Sequence, residues 1–144
     1  KKYEKKKDIE YSRPVMTNST GLSNEMVEWF RSRGISQKIL LKNKITQKQE
    51  YMPQVSENRN VICLNYFRDG ELVNVKYRDA EKNFKQHKDA EKIFYGLDDI
   101  QDHKEVYIVE GEMDKLSLNE IGIENCLSFP DGAPNPRRKS IYMF

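Results

Sequence analysis

The 144-residue sequence has little cysteine or histidine: Cys63 and Cys126 are its only two cysteines, and it contains two histidines. The two cysteines are far apart and the histidines do not cluster with them, so these residues cannot form a four-ligand zinc site. Each cysteine lies in an apolar run, and we expect both to be buried, unpaired thiols. Thiols of this kind favour a reducing, intracellular compartment.

Long apolar runs are also missing. No stretch is long enough to span a membrane, and the first residues do not resemble a signal peptide. The sequence contains no Walker A, G-x-S-x-G or H-E-x-x-H motif, so P-loop nucleotide hydrolysis, serine hydrolysis and zinc proteolysis find no support. No internal repeat is present.

Charge, in contrast, is abundant and unevenly distributed. The net charge is only +2, but residues 1–7 hold five lysines against one glutamate, and residues 76–92 hold six basic against four acidic residues. Residues 98–125 hold nine acidic residues against two lysines. A basic stretch followed by an acidic one fits a protein that binds nucleic acid and holds metal ions in its acidic part.

The first half of the chain predicts an arm, two short helices and a hairpin. Residues 1–20 are polar and are predicted to form a linker or arm. A helix is predicted from Ser23 to Ser32 or Arg33, ended by Gly34, and a second from Ser36. Residues 61–67 and 72–78 predict a β-hairpin whose turn contains Asp69 and Gly70.

The second half predicts a strand, a helix and a second strand. Residues 106–109 form a continuous apolar run, typical of a strand buried on both faces. Residues 112–121 suit a helix with Met113, Leu116 and Ile121 inward, and residues 125–129 suit another buried strand. This spacing is that of a βαβ unit, in which the two strands are parallel.

Acidic residues follow both predicted parallel strands. Glu110 follows the first strand, Asp131 follows the second, and Asp114 comes four residues after Glu110. Because ligands bind at the carboxyl edge of such sheets, we expect Glu110 and Asp131 on one rim. Three carboxylates within five residues, those of Glu110, Glu112 and Asp114, repel one another unless a cation such as Mg²⁺ offsets their charge. The alternative is a structural turn whose acidic residues are favoured by the helix dipole.

A basic row, Lys76, Arg78, Lys82 and Lys85, is the second candidate site. Lys76 and Arg78 share one face of the predicted hairpin, while Lys82 and Lys85 follow in a predicted loop. Such a row can neutralise phosphates, although it can equally be a solvated edge. Alternation places Tyr77 in the core, and Phe84 is expected to pack or to stack on a base.

Together these motifs resemble the Toprim region of phage and bacterial primases and of primase-helicases. The resemblance is carried by Glu110-Gly111-Glu112-Met113-Asp114 and Ser128-Phe129-Pro130-Asp131-Gly132-Ala133, and upstream by residues 75–85 and 93–97. It implies an α/β fold class. An α+β part with helices and a basic hairpin would occupy residues 21–100, and an incomplete Toprim βαβ sheet would occupy residues 101–144.

The resemblance also implies a function. Glu110 and Asp114 would be catalytic, and Glu110, Asp114 and Asp131 would bind Mg²⁺ or Mn²⁺ during primer synthesis. Lys76, Arg78, Lys82 and Lys85 would face a single-stranded DNA template or nucleoside triphosphates. The resemblance further implies a helicase domain or a helicase partner. It also implies a location in the cytoplasm of a bacterial or phage-infected cell, without membrane association.

The sequence departs from the family pattern in one respect. The second acidic motif of the family, D-x-D, is missing, and residues 141–144 resemble the strand that should precede it. We therefore expect a fragment that is inactive alone. The alternatives are another Toprim enzyme, such as a topoisomerase or an OLD-type nuclease, and a single-stranded nucleic-acid-binding module without catalysis.

Overall fold

A computed structural model describes residues 20–132. The predicted arm at residues 1–20, apart from its last residue, and the predicted strand at residues 141–144 lie outside this range. The elements, in chain order, are α1 (Asn24–Ser32), α2 (Gln37–Lys42), β1 (Thr46–Met52), β2 (Glu57–Arg68), β3 (Glu71–Arg78), β4 (Phe84–Gln86), a 3-10 helix (Leu97–Ile100), β5 (Tyr107–Val109), α3 (Glu112–Glu120) and β6 (Cys126–Ser128). In this range no helix has the length and apolar character needed to cross a bilayer.

Helix α1 begins and ends where its capping residues predict. The Ser23 hydroxyl oxygen accepts a hydrogen bond of 3.3 Å from the backbone N–H of Met26, which satisfies a donor of the first turn. Gly34 follows the helix with a φ of +76°, a left-handed conformation that favours glycine. The helix buries Val27 and Phe30 against the sheet and α2.

Strands β1 to β4 form an antiparallel sheet in that order. The predicted hairpin is confirmed: Arg68 pairs with Glu71, and Asp69 and Gly70 turn the chain with φ angles of +51° and +78°. Strand β1 was not predicted, because Thr46–Met52 is mostly polar and lies on a sheet edge. The loop predicted around Lys85 is wrong, since Phe84–Gln86 pairs with β3 as β4.

The sheet has an apolar cluster on each face. Ile62, Leu64 and Tyr66 of β2 pack with residues of α1 and α2 in the larger cluster. Val61, Cys63 and Tyr77 pack with Met52 in the smaller cluster on the opposite face. Tyr77 therefore lies in a core, as alternation predicts, and the thiols of Cys63 and Cys126 are buried and unpaired. Burial raises the pKa of both thiols.

Strands β5 and β6 are parallel and flank α3, so the predicted βαβ unit is confirmed. The expectation that residues 106–109 are buried on both faces is wrong: Tyr107 is 51% exposed and Ile108 48% exposed. The reason is that β5 has a single strand neighbour, β6, within residues 20–132. Ile121, predicted to point inward, is 73% exposed because it follows the last helical residue, where helical periodicity no longer applies.

Helix α3 packs against the same core as the antiparallel sheet. Leu116 is fully buried in the larger cluster, whose other members lie between Leu22 and Leu97. Lys115, also fully buried, lies against Asp99 and donates to Asn43 and Asn119. The predicted boundary between residues 100 and 101 remains a prediction, and the described elements on its two sides share one core.

Candidate metal and nucleic-acid site

The carboxyl ends of β5 and β6 form a common rim. Glu110 directly follows β5, and Pro130 and Asp131 come shortly after β6. The backbone N–H of Phe129 donates a 3.2 Å hydrogen bond to the carbonyl of Val109, which joins the two strand ends at this rim. The parallel pairing therefore gives Glu110 and Asp131 the shared edge that the βαβ pattern predicts.

Glu110 and Asp114 are both exposed at this rim. A Cβ placed on Gly111 would lie 3.6 Å from Oδ2 of Asp114, so the Asp114 carboxylate folds back over the turn that begins at Glu110. Neither carboxylate makes a hydrogen bond or ion pair with another residue between 20 and 132. Their oxygen atoms are ligands of the type that Mg²⁺ prefers.

Asp131, the third predicted metal ligand, has other partners. Its Oδ1 accepts a 2.6 Å hydrogen bond from Nε2 of Gln86, and its Oδ2 lies 2.8 Å from Nζ of Lys92. Both oxygens are thus bound to donors that would compete with a cation. Across the described residues, no group of three or more histidines, cysteines or acids is placed to hold a metal. The three predicted metal ligands therefore differ in their surroundings: the Asp131 carboxylate is held by Gln86 and Lys92, whereas those of Glu110 and Asp114 are exposed.

Glu112 differs from its acidic neighbours because it is 5% exposed. Its Oε1 accepts hydrogen bonds from the Tyr66 hydroxyl and from Nζ of Lys76, the latter at 2.9 Å. Burial, and after it the negative charge of Glu112, raises the pKa of Tyr66 well above its ordinary value. Tyr66 is therefore a neutral donor to Glu112 at physiological pH.

The four predicted basic residues do not form one row. Register pairs Lys76 with Gln86 and Arg78 with Phe84, so these residues share the sheet face that carries the larger cluster. Lys85 pairs with Tyr77 and lies on the opposite face, where its Nζ is 2.8 Å from Oε1 of Glu50.

Lys82 is exposed in the turn before β4, with a φ of +62°. Asp79 fixes that turn, because its carboxylate accepts hydrogen bonds from the backbone of Glu81 and from the backbone and side chain of Asn83. The charge of Lys82 is therefore presented to solvent by a well-defined loop.

Arg78 is buried between two aromatic rings. Its Cζ lies 4.9 Å from the centroid of Trp29 and 5.3 Å from that of Phe84. Its Nε is buried and has no hydrogen-bond partner among residues 20–132. Burial, followed by the charge of Arg33, lowers the pKa of Arg78. A cavity of about 320 Å³ opens beside Arg78 and Trp29, so the guanidinium borders an accessible space.

A groove of about 450 Å³ runs between β4 and the loop after β6. It is lined by Lys76, Phe84, Lys85, Gln86, Lys92, Pro130 and Asp131. Sequence patterns pointed to neither Gln86 nor Lys92 here, nor to Trp29 beside Arg78. For Gln86 the signal is alternation with Phe84, which becomes informative once β4 is recognised as a strand.

Two curated proteins of Arabidopsis thaliana are similar to most of the chain. A primase homolog protein and a chloroplastic/mitochondrial Twinkle homolog are each 45% identical to it over 113 residues, which is 78% of the chain. The chain is therefore similar to one part of a primase homolog and to one part of a Twinkle homolog. It spans 32% of the first relative and 15% of the second. No family model matches the sequence.

Solved primase structures share the fold. The zinc-binding and RNA polymerase domains of the Aquifex aeolicus primase superpose with a TM-score of 0.63 at 17% identity, over 78% of this chain and 38% of that one. The primase fragment of the bacteriophage T7 primase-helicase protein gives a TM-score of 0.54 at 25% identity, over 71% of this chain and 41% of that one. The primase resemblance drawn from the motifs and the α/β fold class are thereby confirmed.

Proposed function

We propose that this chain is the part of a DNA primase that carries the first acidic motif of the catalytic centre and a nucleic-acid groove beside it. The observation that carries this proposal is the shared rim. Two exposed carboxylates, Glu110 and Asp114, follow β5, while a groove containing Lys92 borders the loop after β6. An acidic rim beside a basic groove is the arrangement that metal-dependent nucleotidyl transfer requires.

Glu110 and Asp114 would hold Mg²⁺ or Mn²⁺, and the ion would stabilise negative charge as the hydroxyl of one nucleotide attacks the triphosphate of the next. Lys82 and Lys92 would neutralise template or nucleotide phosphates. Arg78, held by Trp29 and Phe84, would contribute the positive charge of its guanidinium beside the cavity. Phe84 is 39% exposed and offers a ring on which a base could stack.

The second candidate function is a single-stranded nucleic-acid-binding module without catalysis. The observation that favours it is the engagement of Asp131 by Gln86 and Lys92, which leaves two acidic ligands rather than three. Another Toprim enzyme is a weaker alternative, since both curated relatives are named after primase or Twinkle. The T7 relative is a primase-helicase, so we propose a helicase domain or subunit as partner. The name of the Twinkle homolog makes an organelle an alternative to a bacterial or phage-infected cytoplasm.

A metal titration tests the acidic part of the proposal. Mg²⁺ or Mn²⁺ added to the ¹⁵N-labelled chain should shift or broaden the amide signals of Glu110 and Asp114. Glu110→Gln and Asp114→Asn should each weaken the effect, whereas Asp102→Asn, at another exposed acid, should leave it unchanged. Equal loss in all three variants, or no response in the unmodified chain, would rule out this metal site.

Single-stranded DNA binding tests the basic part. Lys82→Ala and Lys92→Ala should each weaken binding and each reduce the slope of log K against log salt by about 0.7, the contribution of one phosphate contact on a single strand. Lys48→Ala is the matched control, because Lys48 lies on the opposite face of the sheet and does not line the groove. DNA binding without any response to metal would favour the non-catalytic module.

A further inference from the structure

The ammonium group of Lys76 is engaged by groups of the protein itself. Its Nζ donates to Oε1 of Glu112 at 2.9 Å and to the carbonyl of Pro130 at 2.7 Å. It also lies 5.2 Å from the centroid of the Phe84 ring. An ammonium group has three donors, and these two hydrogen bonds engage two of them, while the Phe84 ring lies beside the charge. The side chain is only 13% exposed, in contrast with exposed Lys82.

Glu112, the partner of Lys76, accepts a second hydrogen bond. The Tyr66 hydroxyl donates to the same oxygen, and Tyr66 is fully buried in the larger cluster. Glu112 is the first residue of α3, and it lies between Glu110 and Asp114 in the sequence. A shift of Glu112 would therefore displace the turn that carries both exposed carboxylates.

Lys76 connects the two sheets through two hydrogen bonds. It belongs to β3 of the antiparallel sheet, while Glu112 and Pro130 belong to the βαβ unit, one at each end of the common rim. Pro130 also accepts a 3.2 Å hydrogen bond from Nε2 of Gln86 on β4. The hydrogen bonds of the Lys76 ammonium group to Glu112 and Pro130 thus help to set the distance between the acidic rim and the groove.

We propose that Lys76 and Glu112 are a positioning pair, which sets the acidic turn of residues 110–114 relative to the nucleic-acid groove. Lys76 then acts on bound nucleic acid through Glu112 and Pro130, and not by contacting phosphate. This inference rests on the proposed function for its consequence in DNA binding. The positioning itself is a property of the unliganded chain and can be measured without DNA or metal.

The first experiment records amide signals of the unliganded, ¹⁵N-labelled chain. Lys76→Met and Glu112→Gln should shift the same set of signals, including those of Glu110, Gly111 and Asp114. Tyr66→Phe removes one hydrogen bond to Glu112 while keeping the buried ring, and it should give smaller shifts in the same signals. It keeps the test valid if Lys76→Met does not fold. Lys85→Met, which removes the neighbouring ion pair with Glu50, should leave residues 110–114 unchanged.

The second experiment measures single-stranded DNA binding, in which the sign of the Glu112→Gln effect is decisive. A positioning pair predicts that both Lys76→Met and Glu112→Gln weaken binding, roughly fivefold, as substitutions within a coupled network do. The double variant should be no weaker than the stronger single variant. The salt slope should stay unchanged, because no phosphate contact is lost.

The contrary outcomes are distinct. If Glu112→Gln strengthens binding while Lys76→Met lowers the salt slope, Lys76 contacts phosphate directly and the positioning role is wrong. If both variants lower stability but leave the signals of residues 110–114 and DNA affinity unchanged, the pair is structural only. If the unmodified chain binds no DNA but Lys76→Met and Glu112→Gln shift the acidic turn, the proposed function fails while the positioning pair stands.

Discussion

Gln86 on β4 donates a 2.6 Å hydrogen bond from Nε2 to Oδ1 of Asp131, across the groove between the antiparallel sheet and the loop after β6. The contact gives Asp131 a role that its sequence motif does not suggest. Together with Lys92, Gln86 fixes the loop after β6 against β4, and the Asp131 carboxylate serves as the anchor.

Asp131→Asn should therefore leave divalent-metal affinity at Glu110 and Asp114 within twofold of the unmodified chain, because both oxygens of Asp131 are held by Gln86 and Lys92. Metal-induced amide shifts provide the measurement, and Asp114→Asn is the comparison that should weaken binding. If Asp131→Asn lowers metal affinity as much as Asp114→Asn does, Asp131 is a metal ligand.

Lys115→Met should destabilise the chain by about 3–5 kcal/mol, because it leaves Asp99 without its buried cation and removes the donor to Asn43 and Asn119. Urea unfolding measures the change. Lys42→Met is the matched control: it removes a surface ion pair with Glu124 and should cost no more than about 1 kcal/mol. Similar losses in the two variants would show that burial of Lys115 contributes little.

Gly96→Ala should be the most destabilising glycine replacement among those with positive φ. A Cβ there would lie 2.6 Å from Cε of Lys115 and 3.0 Å from the carbonyl oxygen of Cys126, at a φ of +85°. Left-handed strain of about 1–2 kcal/mol is then joined by about 1–3 kcal/mol of overpacking. Gly122→Ala controls for the strain alone, because a Cβ at Gly122 would meet nothing within 4 Å. Equal melting temperatures for the two variants would contradict the prediction.

Asp79 should contribute stability that disappears in acid. Burial acts to raise the pKa of Asp79, but hydrogen bonds from Asn83 and Glu81 outweigh it, and the pKa lies below its ordinary value. The contribution is therefore complete above the unfolded-state pKa of about 3.9, and it is lost as the pH falls through the lower folded-state pKa.

Asp79→Asn should make the free energy of unfolding depend less steeply on pH below about 4, and it should cost about 2 kcal/mol at neutral pH. Urea unfolding across this pH range checks both points. Asp102→Asn should leave the pH dependence unaltered. If the free energy of unfolding of the Asp79 variant falls with pH below about 4 as steeply as that of the unmodified chain, Asp79 does not make the proposed contribution.

Local signals made much of this fold predictable. A capping serine and a terminating glycine define α1, an Asp-Gly turn defines the β2–β3 hairpin, and two apolar runs around a helix define the βαβ unit. Each signal lies within a few residues of the element that it specifies, so periodicity and turn chemistry suffice.

The missed elements have no such signal. Strand β1 is polar because it lies on an edge, and β4 is three residues long, too short for alternation to be recognised. The face of Lys85 could not be assigned without β4. The partners of Lys76 and Asp131 lie 36 and 45 residues away, and no local pattern reports pairing at such separation.

The exposed apolar side chains of β5 have a consequence for handling the protein. Tyr107 and Ile108 are about half exposed on a strand whose outer edge has no partner among residues 20–132. Such an edge is a template for intermolecular pairing, and apolar residues on it favour precipitation. Ile108→Lys, which places a charge on this edge, should therefore lower the tendency of the chain to pair with another copy through β5.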